Sequence, residues 1–172
     1  MTRSPVSPAL GAAAIVTRSA EETRDLAAHL ARASQPGDRL ALVGPLGAGK
    51  TQFAKGFATG LGVREIVNSP SFTLMAEYEG RLPLFHQDLY RLGGAEEAIQ
   101  GGLLDERQVE GVTITEWADR LPADLDPTRL TIEIAVGGDD ERRIRLISSH
   151  PSHGGYLEAA ARWATDHEPG QP

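Results

Sequence analysis

The sequence predicts a single α/β domain built on a mixed, mainly parallel central sheet flanked by helices, with antiparallel hairpins added to it. Three observations carry this. An apolar run, Leu40-Ala41-Leu42-Val43, feeds a glycine-rich loop and then a segment of helical period, which is the order of a buried parallel strand crossing over to a helix. Paired strand-like runs around Glu79-Gly80 and Gly137-Gly138-Asp139-Asp140 read as hairpins. At 172 residues the chain fills one such domain and is too short for two.

In chain order, residues 1–11 are rich in Pro, Ser and Gly and read as a flexible N-terminal tail, with the domain over 12–167 and a second tail over 168–172. Ala12 to Val16 is strand-like. Ser19-Ala20-Glu21-Glu22 has the form of a capping box, and Leu26, Ala27, Leu30 and Ala31 follow at helical spacing, predicting a helix over 20–34. After the glycine-rich loop, Phe53, Phe57 and Leu61 recur every four residues until Gly62. Phe72 to Tyr78 and Leu82 to His86 form the first predicted hairpin. Glu96 to Leu104 is weakly helical and broken by Gly101-Gly102, and Val112 to Thr115 is a strand leading into Glu116-Trp117. Leu130 to Val136 and Arg142 to Ile147 form the second hairpin, and Tyr156 to Ala164 a terminal helix.

Composition narrows the function. There are no cysteines, which removes disulfides and thiolate chemistry and favours a cytoplasmic address. No apolar run reaches bilayer length, so no membrane role is expected. A net charge of −7 argues against a self-sufficient nucleic-acid binder, because neutralising phosphates needs a basic surface. Lysine occurs only at Lys50 and Lys55, so its placement is informative.

Lys50 closes the pattern Gly44-Pro45-Leu46-Gly47-Ala48-Gly49-Lys50-Thr51, a full match to the phosphate-binding loop G-x-x-x-x-G-K-[ST]. Glycines let the backbone wrap phosphate oxygens at a helix start, the lysine reaches the β and γ phosphates, and the threonine hydroxyl faces Mg²⁺. An ordinary strand-to-helix turn would also use glycines. A cation at a helix N-terminus, however, opposes the macrodipole unless an anion sits there. At this composition a chance match is expected in roughly three of a thousand sequences. With no guanine-reading Asn/Thr-Lys-x-Asp sequence, ATP is preferred over GTP.

A second acidic residue at a strand end is needed to hold Mg²⁺, and both Asp88 and Glu116 follow strand-like runs; spacing alone does not divide their roles. His86 has no second histidine at ligand spacing and reads as a structural or switch-region residue rather than a metal ligand. His150, His153 and His167 have no partner motif. Tyr90 and Trp117 each follow a candidate carboxylate and read as core or interface aromatics. Ser69, Ser71 and Thr73 flank Pro70 and serve equally well as turn formers or as a loop sensing the γ-phosphate.

Taken together, the phosphate loop, Ser69-Pro70-Ser71-Phe72-Thr73-Leu74, His86-Gln87-Asp88-Leu89-Tyr90-Arg91 and Glu116-Trp117 closely resemble the TsaE (YjeE) family, across residues 17–147. The resemblance implies a P-loop NTPase fold and an ATPase of bacterial tRNA N6-threonylcarbamoyladenosine synthesis at adenosine 37. It further implies action with TsaD and TsaB, with tRNA reached through that complex and ATP use resetting it. By the same resemblance Thr51 and Glu116 bind Mg²⁺ and Asp88 positions or activates the attacking water. Ser19 to Thr23 and Arg142 or Arg143 are implied to lie near the nucleotide. Turnover by the isolated chain is expected to be slow. The competing readings are a small-molecule P-loop kinase and a nucleotide-gated binding module. Departures from the family pattern are Gln87 in place of an apolar residue, Ser71 where threonine is common, and a less apolar Thr115; Gln87 is expected to loosen the strand end that aims Asp88.

Overall fold

The computed structural model describes residues 11–169. The strand β1 (Gly11–Thr17) runs into α1 (Ala20–Ala31), whose start is fixed by the anticipated cap. The Ser19 hydroxyl accepts from the Glu22 amide at 3.0 Å, and the Glu22 carboxylate reaches back to the Arg18 amide at 2.8 Å. Regular helix stops at Ala31 rather than Ser34, because the Ala33 and Ser34 amides tighten to the carbonyls three residues back. Next come β2 (Arg39–Val43) and α2 (Lys50–Gly60), then β3 (Met75–Tyr78) and β4 (Leu84–Asp88). A short α3 (Ala95–Gln100) precedes β5 (Val112–Glu116), and β6 (Leu130–Val136), β7 (Arg142–Ser148) and α4 (Gly154–Asp166) complete the chain.

The strands form one seven-stranded sheet in the order β1-β7-β6-β2-β5-β4-β3. Its centre, β6-β2-β5-β4, is parallel, while β3 joins β4, and β7 and β1 extend β6, antiparallel. Both hairpins are therefore present. The first is shorter at its start than the sequence pattern suggests: Leu74 takes a left-handed φ of 66°, so pairing begins at Met75, and Phe72 is left 82% exposed. Gly11 belongs to β1 rather than to a tail; the rest of the N-terminal tail and positions 170–172 lie outside the described residues. Short 3₁₀ segments at Glu106–Glu110, Ala118–Arg120, Ala123–Leu125 and Pro151–His153 have no periodic signature and were not anticipated.

Leu26 and Leu30 of α1, Phe53 and Phe57 of α2, and Tyr156 and Trp163 of α4 bury against Leu40, Leu42, Ile114, Ile132 and Ile144 in one core. A smaller cluster, Leu89, Leu92, Ala98, Leu103 and Leu121, anchors the segments that follow β4 and β5. Register then decides where function can sit. Leu42 pairs with Glu116 and Glu116 with Asp88, so β2, β5 and β4 finish level, at the carboxyl edge where open parallel sheets bind ligands. Among the described residues no helix is long and apolar enough to cross a membrane.

Helices α1 and α2 meet at unusually short range. A Cβ placed on Gly56 would lie 2.2 Å from the Arg24 carbonyl oxygen, and one on Gly60 2.3 Å from that of Ala28. An exposed Gly→Ala change inside a helix normally stabilises by about 1 kcal/mol. Here overpacking wins, and Gly56→Ala should destabilise by about 1–3 kcal/mol in urea unfolding. Stability equal to or above wild type would show that the two helices are not held this close.

Candidate functional site

The loop between β2 and α2 owes its shape to backbone that only glycine adopts readily. Gly47 and Gly49 have φ of 78° and 101°, and Gly49 is the N-cap of α2, with no side chain to satisfy the first-turn amides. Those N–H groups are thus left for an anion. Lys50, the first residue of α2, is only 5% exposed. Its ammonium donates to the Gly44 and Pro45 carbonyls at 2.5 and 2.9 Å and lies 3.8 Å from the centre of the Trp117 ring. Burial pulls its pKa below the ordinary lysine value, against the opposing charges of Glu116, Asp119 and Asp88.

The two strand-end carboxylates face this loop side by side, and each has its own donors. Glu116 accepts the Thr51 hydroxyl on Oε1 at 2.8 Å, and its Oε2 lies 2.6 Å from His86 Nε2. Asp88 accepts the Tyr90 amide on Oδ1 at 2.9 Å and the Ser69 hydroxyl on Oδ2. Lys50, Thr51, Ser69, Ser71, Asp88, Tyr90, Glu116 and Trp117, with the loop residues Leu46, Gly47 and Gly49, line one cavity of about 420 Å³. The structure thus brings together most of the loop residues and both carboxylates singled out in the sequence.

The donor set suits Mg²⁺. A hydroxyl and a carboxylate converge at Thr51 and Glu116, two hard oxygens that leave room for water and phosphate, as that ion requires. Among the described residues no group of three or more His, Asp or Glu side chains is arranged to hold a metal without such help.

On the other side of the loop a smaller cavity of about 120 Å³ is lined by Ala20, Thr23, Ala48, Gln52, Asp140 and Arg142, among others. Arg142 donates through Nε to the Ala48 carbonyl at 3.0 Å and through Nη2 to that of Gly47 at 3.4 Å. Arg143 instead lies exposed beside Glu141 at 3.6 Å. Within Ser19 to Thr23, Ala20 and Thr23 reach the cavity, while the Ser19 hydroxyl is spent on the helix cap. His153 is buried between Ser148 and the Thr128 carbonyl, His150 pairs with Ser152, and His167 stacks on Trp163. None of the three lines either cavity. Sequence reasoning undervalued Trp117: its left-handed φ of 56° turns the ring over Lys50, with the Tyr90 ring 5.1 Å away.

Comparison with known proteins places the chain in a family. The profile of the family described as "Threonylcarbamoyl adenosine biosynthesis protein TsaE" matches residues 17–144. The chain is 48% identical over 133 residues to the tRNA threonylcarbamoyladenosine biosynthesis protein TsaE of Bacillus subtilis, covering 77% of this chain and 83% of that protein. It is 40% identical over 131 residues to the protein of the same name from Treponema pallidum, covering 76% and 97%. The crystal structure of Bacillus subtilis YdiB superposes with a TM-score of 0.70 at 39% identity, over 88% of this chain and 95% of that one.

Gln87 corrects one expectation. Alternation along β4 turns it away from His86 and Asp88, onto the opposite face of the sheet. There its carbonyl accepts from the Thr115 hydroxyl at 3.1 Å, and its amide donates to the Leu103 carbonyl at 2.6 Å, an oxygen that Gln108 also reaches at 3.0 Å. The two polar departures, Gln87 and Thr115, satisfy each other across β4 and β5 and tie the strand end down rather than loosening it. Gln87→Leu alone should cost about 1–3 kcal/mol by stranding the buried Thr115 hydroxyl. Combined with Thr115→Val in a denaturant double-mutant cycle, it should show a coupling of at least about 0.5 kcal/mol. Additive losses would mean that the pair does not act as a unit.

Proposed function

The chain belongs to the TsaE family, and from that premise we propose that it is a Mg²⁺-dependent ATPase serving threonylcarbamoyl modification of adenosine 37 in tRNA. It works in the cytoplasm with TsaD and TsaB, reaches tRNA through them, and uses ATP to reset their complex. The observation that carries the ATPase reading is the buried Lys50 ammonium, set at the start of α2 and facing two carboxylates across one cavity.

The free amides at the start of α2, with the loop Gly44 to Thr51 wrapped around them, and the Lys50 ammonium bind the triphosphate, whose oxygens replace the Gly44 and Pro45 carbonyls as partners of Nζ. Thr51 and Glu116 hold Mg²⁺, which when bound neutralises charge on the β and γ phosphates. Asp88 is kept apart from that pair by its own donors, Ser69 and the Tyr90 amide, and orients the attacking water. Arg142 stands at the Gly47-Ala48 edge and serves the nucleotide from the opposite side.

Among the described residues no arginine lines the larger cavity, so the isolated chain lacks a full set of charges for the transition state and turns over slowly. The Ser69–Thr73 segment offers a route to the partners: Ser69 is bonded to Asp88 while Phe72 is exposed, so a γ-phosphate that moves Ser69 moves an apolar surface. If ATP changes partner affinity tenfold, about 1.4 kcal/mol, the partners change ATP affinity by the same factor.

Two substitutions separate the carboxylates. Glu116→Gln should shift the Mg²⁺ activation of ATP hydrolysis to higher concentration while leaving metal-free nucleotide affinity within about twofold. Asp88→Asn should keep Mg·ATP binding and lower the hydrolysis rate by about a hundredfold or more. An unchanged Mg²⁺ curve would remove Glu116 from the metal, and a binding loss equal to the rate loss would move Asp88 onto it.

A further inference from the structure

His86 is fully buried in the middle of β4, two residues before Asp88, and no part of the proposed reaction uses it. The sheet register places it against Ile114, so its ring lies on the same face as Glu116, two positions along β5. Nε2 meets Glu116 Oε2 at 2.6 Å, and because that partner is a carboxylate oxygen, Nε2 carries the hydrogen. The second ring nitrogen, Nδ1, is buried with no partner among the described residues. A bare lone pair there costs less than an orphaned N–H, which selects the tautomer protonated on Nε2. The ring therefore spends its one donor on Glu116, and Oε2 is held while Oε1 stays turned to Thr51.

We propose that His86 is the positioning residue of the metal site, fixing the Glu116 carboxylate so that Oε1 and the Thr51 hydroxyl present a pre-set pair of oxygens to Mg²⁺. This rests on the proposed role of Glu116. The last torsion of a glutamate carboxylate has only broad preferences of its own, and hydrogen bonds from outside the ligand shell are what orient metal-binding groups. Asp88 has no such partner in His86, so the effect is confined to metal binding and leaves the water-orienting group alone.

The test is calorimetric titration of the full-length protein with a non-hydrolysable ATP analogue, in Mg²⁺ and in EDTA, the ratio of the two affinities being the gain due to metal. His86→Leu removes the donor. His86→Gln restores one, since its amide nitrogen stands near the position of Nε2. Should the leucine variant fail to fold, His86→Asn, whose amide stands near Nδ1 and cannot reach Glu116, is read instead. The expected result is a gain about ten- to a hundredfold smaller in the donor-less variant, with affinity in EDTA unchanged and the gain largely recovered in His86→Gln. Equal losses in His86→Leu and His86→Gln would reduce His86 to a packing residue and overturn the proposal. A wild-type gain in His86→Leu, with the gain lost in Glu116→Gln, would overturn it while leaving Glu116 on the metal. A wild-type gain in both variants would remove Glu116 from the metal and the proposal with it.

Discussion

A buried ammonium at the positive end of a helix is the constraint around which this molecule is arranged. Lys50 begins α2, is nearly inaccessible to water, and sits where the helix dipole disfavours a cation. Burying an unpaired charge would cost several kcal/mol, so its surroundings must be rich in electron density. Two carbonyls of its own loop, the face of Trp117 and the nearby charges of Glu116, Asp119 and Asp88 supply it. The left-handed turn at Trp117 and the glycines of the loop follow from that need. A triphosphate meets it better than neutral carbonyls do, because charged acceptors form the stronger hydrogen bonds.

The second requirement is to keep two carboxylates adjacent without letting them act alike. Asp88 and Glu116 are register partners on neighbouring parallel strands, so their backbones are fixed and only side-chain partners tell them apart. Glu116 is bound to the start of α2 through Thr51 and to β4 through His86, which makes it part of the loop's frame. Asp88 is bound to Ser69 and Tyr90, which belong to connecting segments rather than to the frame of the loop. Behind both, Gln87 and Thr115 lock the same two strands from the far face of the sheet. Gln87 and Thr115 are tolerated on that buried face because each is hydrogen-bonded to the other.

Local signals were legible in the sequence and distant pairings were not. The capping box at Ser19, the phosphate loop, the periods of α1 and α2 and both hairpins announce themselves within a few residues, and each appears in the structure near its expected place. The order of β2, β5 and β4 has no such signature: Glu116 and Thr51, 65 positions apart, are paired in the sequence only by the family resemblance, and it is the strand order that brings them together. The same holds for His86 and Glu116, and for Gln87 and Thr115, whose meaning depends on knowing which faces of which strands are opposed. Gln87 read as a defect because one strand alone does not reveal its partner. Trp117 read as core because its role depends on a backbone conformation that non-glycine residues rarely adopt. The alternation around Phe72 is that of a strand, and the left-handed turn at Leu74 releases it to the surface.

The claim that most needs testing is that Lys50 is buried in order to meet phosphate. Calorimetry of ATP binding to Lys50→Ala, with folding checked by circular dichroism, addresses it directly. Removing the ammonium should weaken ATP by at least about tenfold, equivalent to about 1.4 kcal/mol, even though the variant no longer buries a charge. A folded Lys50→Ala protein that binds ATP as the natural one does would mean that the ammonium serves the loop's own carbonyls alone, and the nucleotide site would have to be sought elsewhere.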